Sequence, residues 1–182
     1  LHDYVDFGTV GYYHIPDGYY DAFINWEKAH FNFEVKREWL RFAPGVVAAF
    51  NWMLQILTEP DEAVIVMTPV YYPFLQAVTN NERKLITSEL VNEDGKYTID
   101  FEDFEKKIID NDVKAFILCS PHNPVARVWT KEELTKMFEI CHRHHVYVIS
   151  DEIHQDFVFG DKMQTPSYQA TEHWDEMVAI TA

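Results

Sequence analysis

Basic residues are scarce in this chain, with 15 lysines and arginines against 30 aspartates and glutamates and a formal net charge of −15. A surface of that sign repels nucleic acid and anionic lipid, so neither is the expected partner. Cysteine is scarcer still, with two in 182 residues. Cys119 and Cys141 both stand within apolar periodicity, which reads as two reduced, buried thiols and makes the cytoplasm the expected location. No apolar run has membrane-spanning or secretory-signal length. Also missing are internal repeats, low-complexity tracts and hairpin signals between the strand-like runs. The chain opens at Leu1 without a methionine and stops at Ala182 beside an apolar run, so a longer polypeptide, only partly represented, is expected.

What is present is enough for one sizeable domain with a real core. Aromatic residues make up 15% of the chain, much of it in tyrosine-rich clusters that suit either a core or a planar ligand. Residues 5–18 carry three glycines and a proline without a steady period, and read as an ordered loop. Asp17 is placed to cap the helix that follows, whose stripe is Tyr20, Phe23, Ile24 and Phe31. A buried helix is expected from about Gly45 to before Pro60, and another over 70–78. Strands are expected at 63–67, 84–89, 114–119, 146–149 and 177–181. Residues 92–96 form a turn on the Asp94-Gly95 pair, and Asp100 caps a helix with Phe101, Phe104 and Ile108 on one face. Thr130 and Glu133 form a capping box ahead of Leu134, Met137, Phe138 and Cys141. Strands alternating with helices imply an α/β fold, three-layer αβα around a mostly parallel sheet.

Most of the polar residues with chemical promise lie just past strand ends or at a helix start, where open α/β sheets bind ligands. Gly45 opens a helix whose first N–H groups, at Val46 and Val47, can meet a phosphate or simply begin the helix. The Gly-Lys-Ser/Thr ending of a Walker loop is missing there. Of Tyr71 and Tyr72, one can stack on a flat ligand or pack as an ordinary aromatic. In S-P-H-N-P, two prolines flank Asn123 and fix the direction of its amide, which suits one defined acceptor or a merely rigid loop. Asp151 follows V-Y-V-I-S, where a carboxylate can balance a cation, bind metal or cap a helix, with His154 three residues on. The run Cys141 to His145 closes a helix, where basic side chains favour the dipole, and its spacing fits no tetrahedral zinc pattern; no metal site is expected.

Taken together, G-Y-Y-H-I-P, A-P-G-V-V, T-P-V-Y-Y-P-F, S-P-H-N-P-V-A-R-V-W and S-D-E-I-H resemble pyridoxal-phosphate enzymes of the aspartate aminotransferase fold. The wording S-P-H-N-P-V-x-R-V-W and the histidine of D-E-I-H lean towards carbon–sulfur β-lyases of the cystathionine β-lyase and cystalysin type. The resemblance implies that residues 1–182 are part of the large cofactor-binding domain, with the small C-terminal domain absent. The cofactor implied is pyridoxal 5'-phosphate. By the same resemblance Asp151 pairs with its pyridine nitrogen, Asn123 with its phenolic oxygen, and Tyr71 stacks on its ring. Val46 and Val47 hold its phosphate through backbone N–H groups, and His154 stands beside the ring oxygen. Tyr12 reaches the phosphate of a neighbouring subunit, which implies a homodimer.

The family's Schiff-base lysine is expected shortly after Ala182, so no catalytic lysine is expected within the chain. Ala126 stands where the family usually has glycine, at a strain on the order of 1 kcal/mol if that position needs positive φ. The implied activity is cleavage of a sulfur-containing amino acid to pyruvate, ammonia and a thiol. A class I/II aminotransferase is the alternative, and a non-catalytic cofactor-binding chain is the reading if 182 residues are the whole gene product.

Overall fold

The computed structural model describes residues 1–9, 11–160 and 163–182. It divides into two compact units, Leu1–Arg41 and Phe42–Ala182.

The first unit holds α1 (His2–Phe7), α2 (Asp17–Phe31) and a 3-10 turn over Arg37–Trp39. The helix α1 was not expected inside the glycine-containing opening; it is six residues long, buries none of them and ends at left-handed Gly8. Asp17 is the first helical residue of α2 and makes no side-chain cap; Pro16 occupies the cap position with φ −65°, the value its ring imposes. Asp17 therefore acts only as a negative charge in the first turn, where the dipole favours it. Arg37 lies over the Tyr20 ring, 3.3 Å from its centroid, and Glu27 and Phe31 are buried.

The second unit is a five-stranded, all-parallel sheet in the order β2-β1-β5-β6-β7. Its strands are β1 (Ala63–Thr68), β2 (Lys84–Glu89), β5 (Val113–Cys119), β6 (Tyr147–Asp151) and β7 (Met177–Ile180). Alternation along β1 sends Val64 and Val66 to one face, against Ala49, Phe50 and Leu54 of α3 (Val46–Leu57) and Phe74, Ala77 and Val78 of α4 (Tyr72–Asn80). Ile65 and Met67 point to the other face. There Phe104 and Ile108 of α5 (Phe101–Asn111) and Leu134, Met137 and Phe138 of α6 (Lys131–Arg143) complete the second core. Burial of these side chains on both faces, each contributing about 1.5–3 kcal/mol, is what holds the three αβα layers together.

At α5 and α6, capping follows the sequence. Asp100 accepts from the N–H groups of Glu102 and Asp103, and Thr130 and Glu133 satisfy one another's backbone donors. Two further expectations need correction. The turn at 92–96 closes a small antiparallel hairpin, β3 (Val91–Glu93) with β4 (Lys96–Thr98), because Asp94 and Gly95 both take positive φ and reverse the chain within two residues. The strand β6 runs on to Asp151, so that carboxylate belongs to the strand's last residue instead of the loop after it.

The basic run at the end of α6 has carboxylate partners: Arg143 forms an ion pair with Glu105, His144 Nε2 lies 2.9 Å from the same carboxylate, and His142 Nδ1 lies 2.7 Å from Glu176. No helix among the described residues is long and apolar enough to cross a membrane.

Candidate functional site

In the sheet order, the chain leaves β1 in one direction to β2 and later returns to the other side of β1 with β5. That reversal is a topological switch point, and the crevice outside the carboxyl ends of β1 and β5 is where such sheets take ligands. The loop after β1 carries Tyr71, the loop after β5 carries Asn123, and β6 beside it ends on Asp151. The helix α3 is twelve residues, about 18 Å long, and a short connection joins its end to the start of β1, a strand of about 20 Å. Its beginning, at Val46 and Val47, therefore returns to the same carboxyl edge.

Each group has a local cause. Gly45 has φ 126°, a conformation that a residue with a Cβ rarely adopts, and it leads directly into α3. No side chain caps that end, and the first helical bond is from Ala49 N–H to the Gly45 carbonyl. The N–H groups of Val46 and Val47 thus precede the helical ladder at the positive end of the dipole. Tyr71 is half-buried and packs edge-on against Phe74, 6.1 Å between centroids, whereas Tyr72 is 63% exposed. Of the two tyrosines, Tyr71 is the one whose ring is seated on the core.

Asn123 begins the turn between His122 and Arg127, closed by the His122 N–H donating to the Arg127 carbonyl at 2.7 Å. The backbone N–H of Asn123 meets the Cys119 sulfur at 3.3 Å, while its carboxamide has no partner among the described residues. Ala126, in the same turn, has φ 55°: the position does need the left-handed conformation that glycine takes without strain.

Asp151 is 3% exposed. Its Oδ1 accepts the Ile153 N–H at 3.1 Å, and no cationic side chain forms an ion pair with it among the described residues. Burial pushes its carboxyl up to about 6, although the Ile153 N–H and the field of His154 pull the other way. A buried carboxylate so weakly compensated is a site for a cation. His154 follows in the turn beyond β6, half-buried and edge-on to Phe157 at 6.5 Å. Tyr12 lies in the other unit and is fully exposed there.

Three further residues support the edge, and none was singled out from the sequence. The Nε2 of buried His122 lies 2.9 Å from the Pro69 carbonyl oxygen, and Trp129 Nε1 donates to the Cys119 carbonyl at 3.0 Å. Gln164 Nε2 donates to Ser120 Oγ at 2.7 Å. The only sequence signal for His122 is its place beside Asn123; its acceptor is 53 residues away. The edge thus offers free N–H groups for a phosphate, an aromatic face, an uncommitted amide and a buried carboxylate for a ring cation. That set fits a flat phosphorylated heterocycle bearing a protonated nitrogen.

The model of the family described as aminotransferase class I and II matches residues 7–181. Cystathionine beta-lyase PatB of Bacillus subtilis is 42% identical over 166 residues, covering 91% of this chain and 43% of the relative. Aspartate aminotransferase of the same organism is 27% identical over 149 residues, covering 82% of this chain and 37% of the relative. The crystal structure of cystalysin from Treponema denticola, which contains a pyridoxal 5'-phosphate cofactor, superposes with a TM-score of 0.92 at 38% identity, covering all of this chain and 46% of that one. The chain spans less than half the length of these relatives.

Proposed function

The chain belongs to the aminotransferase class I and II family, and from that membership we propose that it forms the cofactor-holding part of a pyridoxal 5'-phosphate enzyme acting on an amino acid. The observation that carries the proposal is Asp151: a carboxylate buried at the end of β6, held above the usual carboxylate range by desolvation, with no cation paired to it among the described residues. When bound, the cofactor supplies an electron sink that stabilises negative charge at the substrate's α-carbon.

The residues of this chain prepare that sink. Asp151 keeps a proton on the ring nitrogen, since a cation beside it relieves the cost of its own buried charge. Asn123 would donate its amide, which has no partner among the described residues, to the ring oxygen, and Tyr71 would cover one face of the ring. Val46 and Val47 bind the phosphate through backbone N–H groups. His154, in the turn beyond β6, would stand beside the ring oxygen.

Within the family we propose carbon–sulfur β-lyase activity on a sulfur-containing amino acid, releasing pyruvate, ammonia and a thiol. The 42% identity to PatB supports this branch, and relatives named as aminotransferases, at 33% and 40% identity, support transamination as the alternative. We also propose a cytoplasmic homodimer in which Tyr12, exposed in this chain, reaches the phosphate of the neighbouring site. Incubating the whole protein with cystathionine and no keto acid tests the assignment. Steady release of pyruvate and homocysteine supports the lyase, and turnover that stalls until a keto acid is added overturns it in favour of the aminotransferase.

A further inference from the structure

The switch-point crevice has a brace across its floor. His122 follows β5 and immediately precedes Asn123; Pro69 follows β1 and stands two residues before Tyr71. The His122 ring is 1% exposed and its Nε2 lies 2.9 Å from the Pro69 carbonyl oxygen. A carbonyl only accepts, so Nε2 carries the proton, and the neutral ring is fixed as the Nε2–H tautomer. The other nitrogen, Nδ1, is buried and has no partner among the described residues. The ring is held edge-on against Trp129, 5.4 Å between centroids, and Trp129 is itself tied to the Cys119 carbonyl.

Among the described residues, no other side-chain hydrogen bond joins these two loops. The β1 loop rests on Phe74 through Tyr71, and the β5 loop closes on itself between His122 and Arg127. We propose that His122 is a positioning residue: through its Nε2–H bond to Pro69 it sets the spacing between Tyr71 and Asn123, and so the gap that receives the cofactor ring. This rests on the reading of the edge as a pyridoxal-phosphate site. Burial also holds the imidazole below its usual range and so favours the neutral ring, although the Pro69 and Cys119 carbonyls pull the other way.

Three variants of the whole protein separate the possibilities. His122→Phe keeps the ring's shape and removes the donor; His122→Gln places an amide N–H near the position of Nε2; His122→Asn, which is smaller, cannot reach Pro69. Two measurements are made on each: hydrogen–deuterium exchange of the cofactor-free protein over 69–73 and 120–127, and titration with pyridoxal 5'-phosphate followed by the induced circular dichroism of the bound ring.

Faster exchange in both loops together is expected for His122→Phe and His122→Asn, with affinity about tenfold weaker and a smaller dichroic band, and recovery in His122→Gln. A merely structural histidine would lower thermal stability without moving the dichroic band or being rescued by glutamine. Unchanged exchange in the two loops, or affinity and dichroism within twofold of wild type, overturns the inference. If wild type fails to bind the cofactor while the paired loosening is seen, the brace stands and the cofactor reading falls. Should His122→Phe not fold, the His122→Asn and His122→Gln pair gives the same comparison.

Discussion

The backbone N–H of Ser120 donates to the carbonyl oxygen of Asp151 across 2.9 Å, so β5 and β6 remain joined one residue beyond β5 itself. The Asn123 turn and the Asp151 carboxylate therefore start from one rigid edge. Two groups proposed to hold two different atoms of one ring need such a common origin, because a misplacement of about 1 Å costs up to two orders of magnitude in rate.

Asp151→Asn is expected to stabilise the cofactor-free protein. The sign follows from burial: the folded-state value is raised from 3.8 to about 6, so between those values the folded state binds more protons than the unfolded one. Wild type therefore loses stability from this group as pH rises through that window, and asparagine, which still accepts from Ile153, does not. Urea unfolding of both proteins should show a gap on the order of 1–3 kcal/mol at pH 7 that shrinks towards pH 4.

Ala126→Gly is expected to raise stability by ~0.5–1 kcal/mol. The left-handed φ of 55° strains alanine, and relief of that strain outweighs the added freedom of glycine in the unfolded chain. Ala126→Val, branched at Cβ in the same conformation, should lower the melting temperature instead.

Tyr71 is assigned a face and no hydroxyl role. Tyr71→Phe should leave the affinity for pyridoxal 5'-phosphate within about twofold, while Tyr71→Ala should weaken it by about tenfold or more, as the loss of an aromatic contact implies. Equal losses in both variants would transfer the role to the hydroxyl.

Gly45→Ala puts a Cβ on a backbone at φ 126° and disturbs the start of α3. Inorganic phosphate should protect wild type against thermal unfolding, and that protection should be lost in the variant while the far-UV spectrum of the remaining helices is retained.

Much of this was legible in residue order. The β-branched run at 63–67 and the apolar run at 114–119 are inner strands because a parallel sheet buries both faces, and Thr130 with Glu133 marks a helix start by local bonding alone. Asn123 and Asp151 could be found because a polar residue at the end of an apolar run has no local reason to be there. Other features depend on distant partners. Pro16 displaces Asp17 from the cap of α2 through its fixed φ, and the hairpin of β3 and β4 needs pairing that three-residue strands do not advertise. His122 is legible only once Pro69, 53 residues earlier, is brought to it by the sheet.

The central claim is that the carboxyl edge of this sheet holds pyridoxal 5'-phosphate with Asp151 against its ring nitrogen. The most direct measurement is a calorimetric titration of the whole protein, wild type and Asp151→Asn, with pyridoxal 5'-phosphate at pH 7.5. The account predicts saturable binding at one site per chain, weakened about thirtyfold or more in the variant as a buried charge pair is removed. Absence of saturable binding in wild type, or equal affinity in the two proteins, would contradict it.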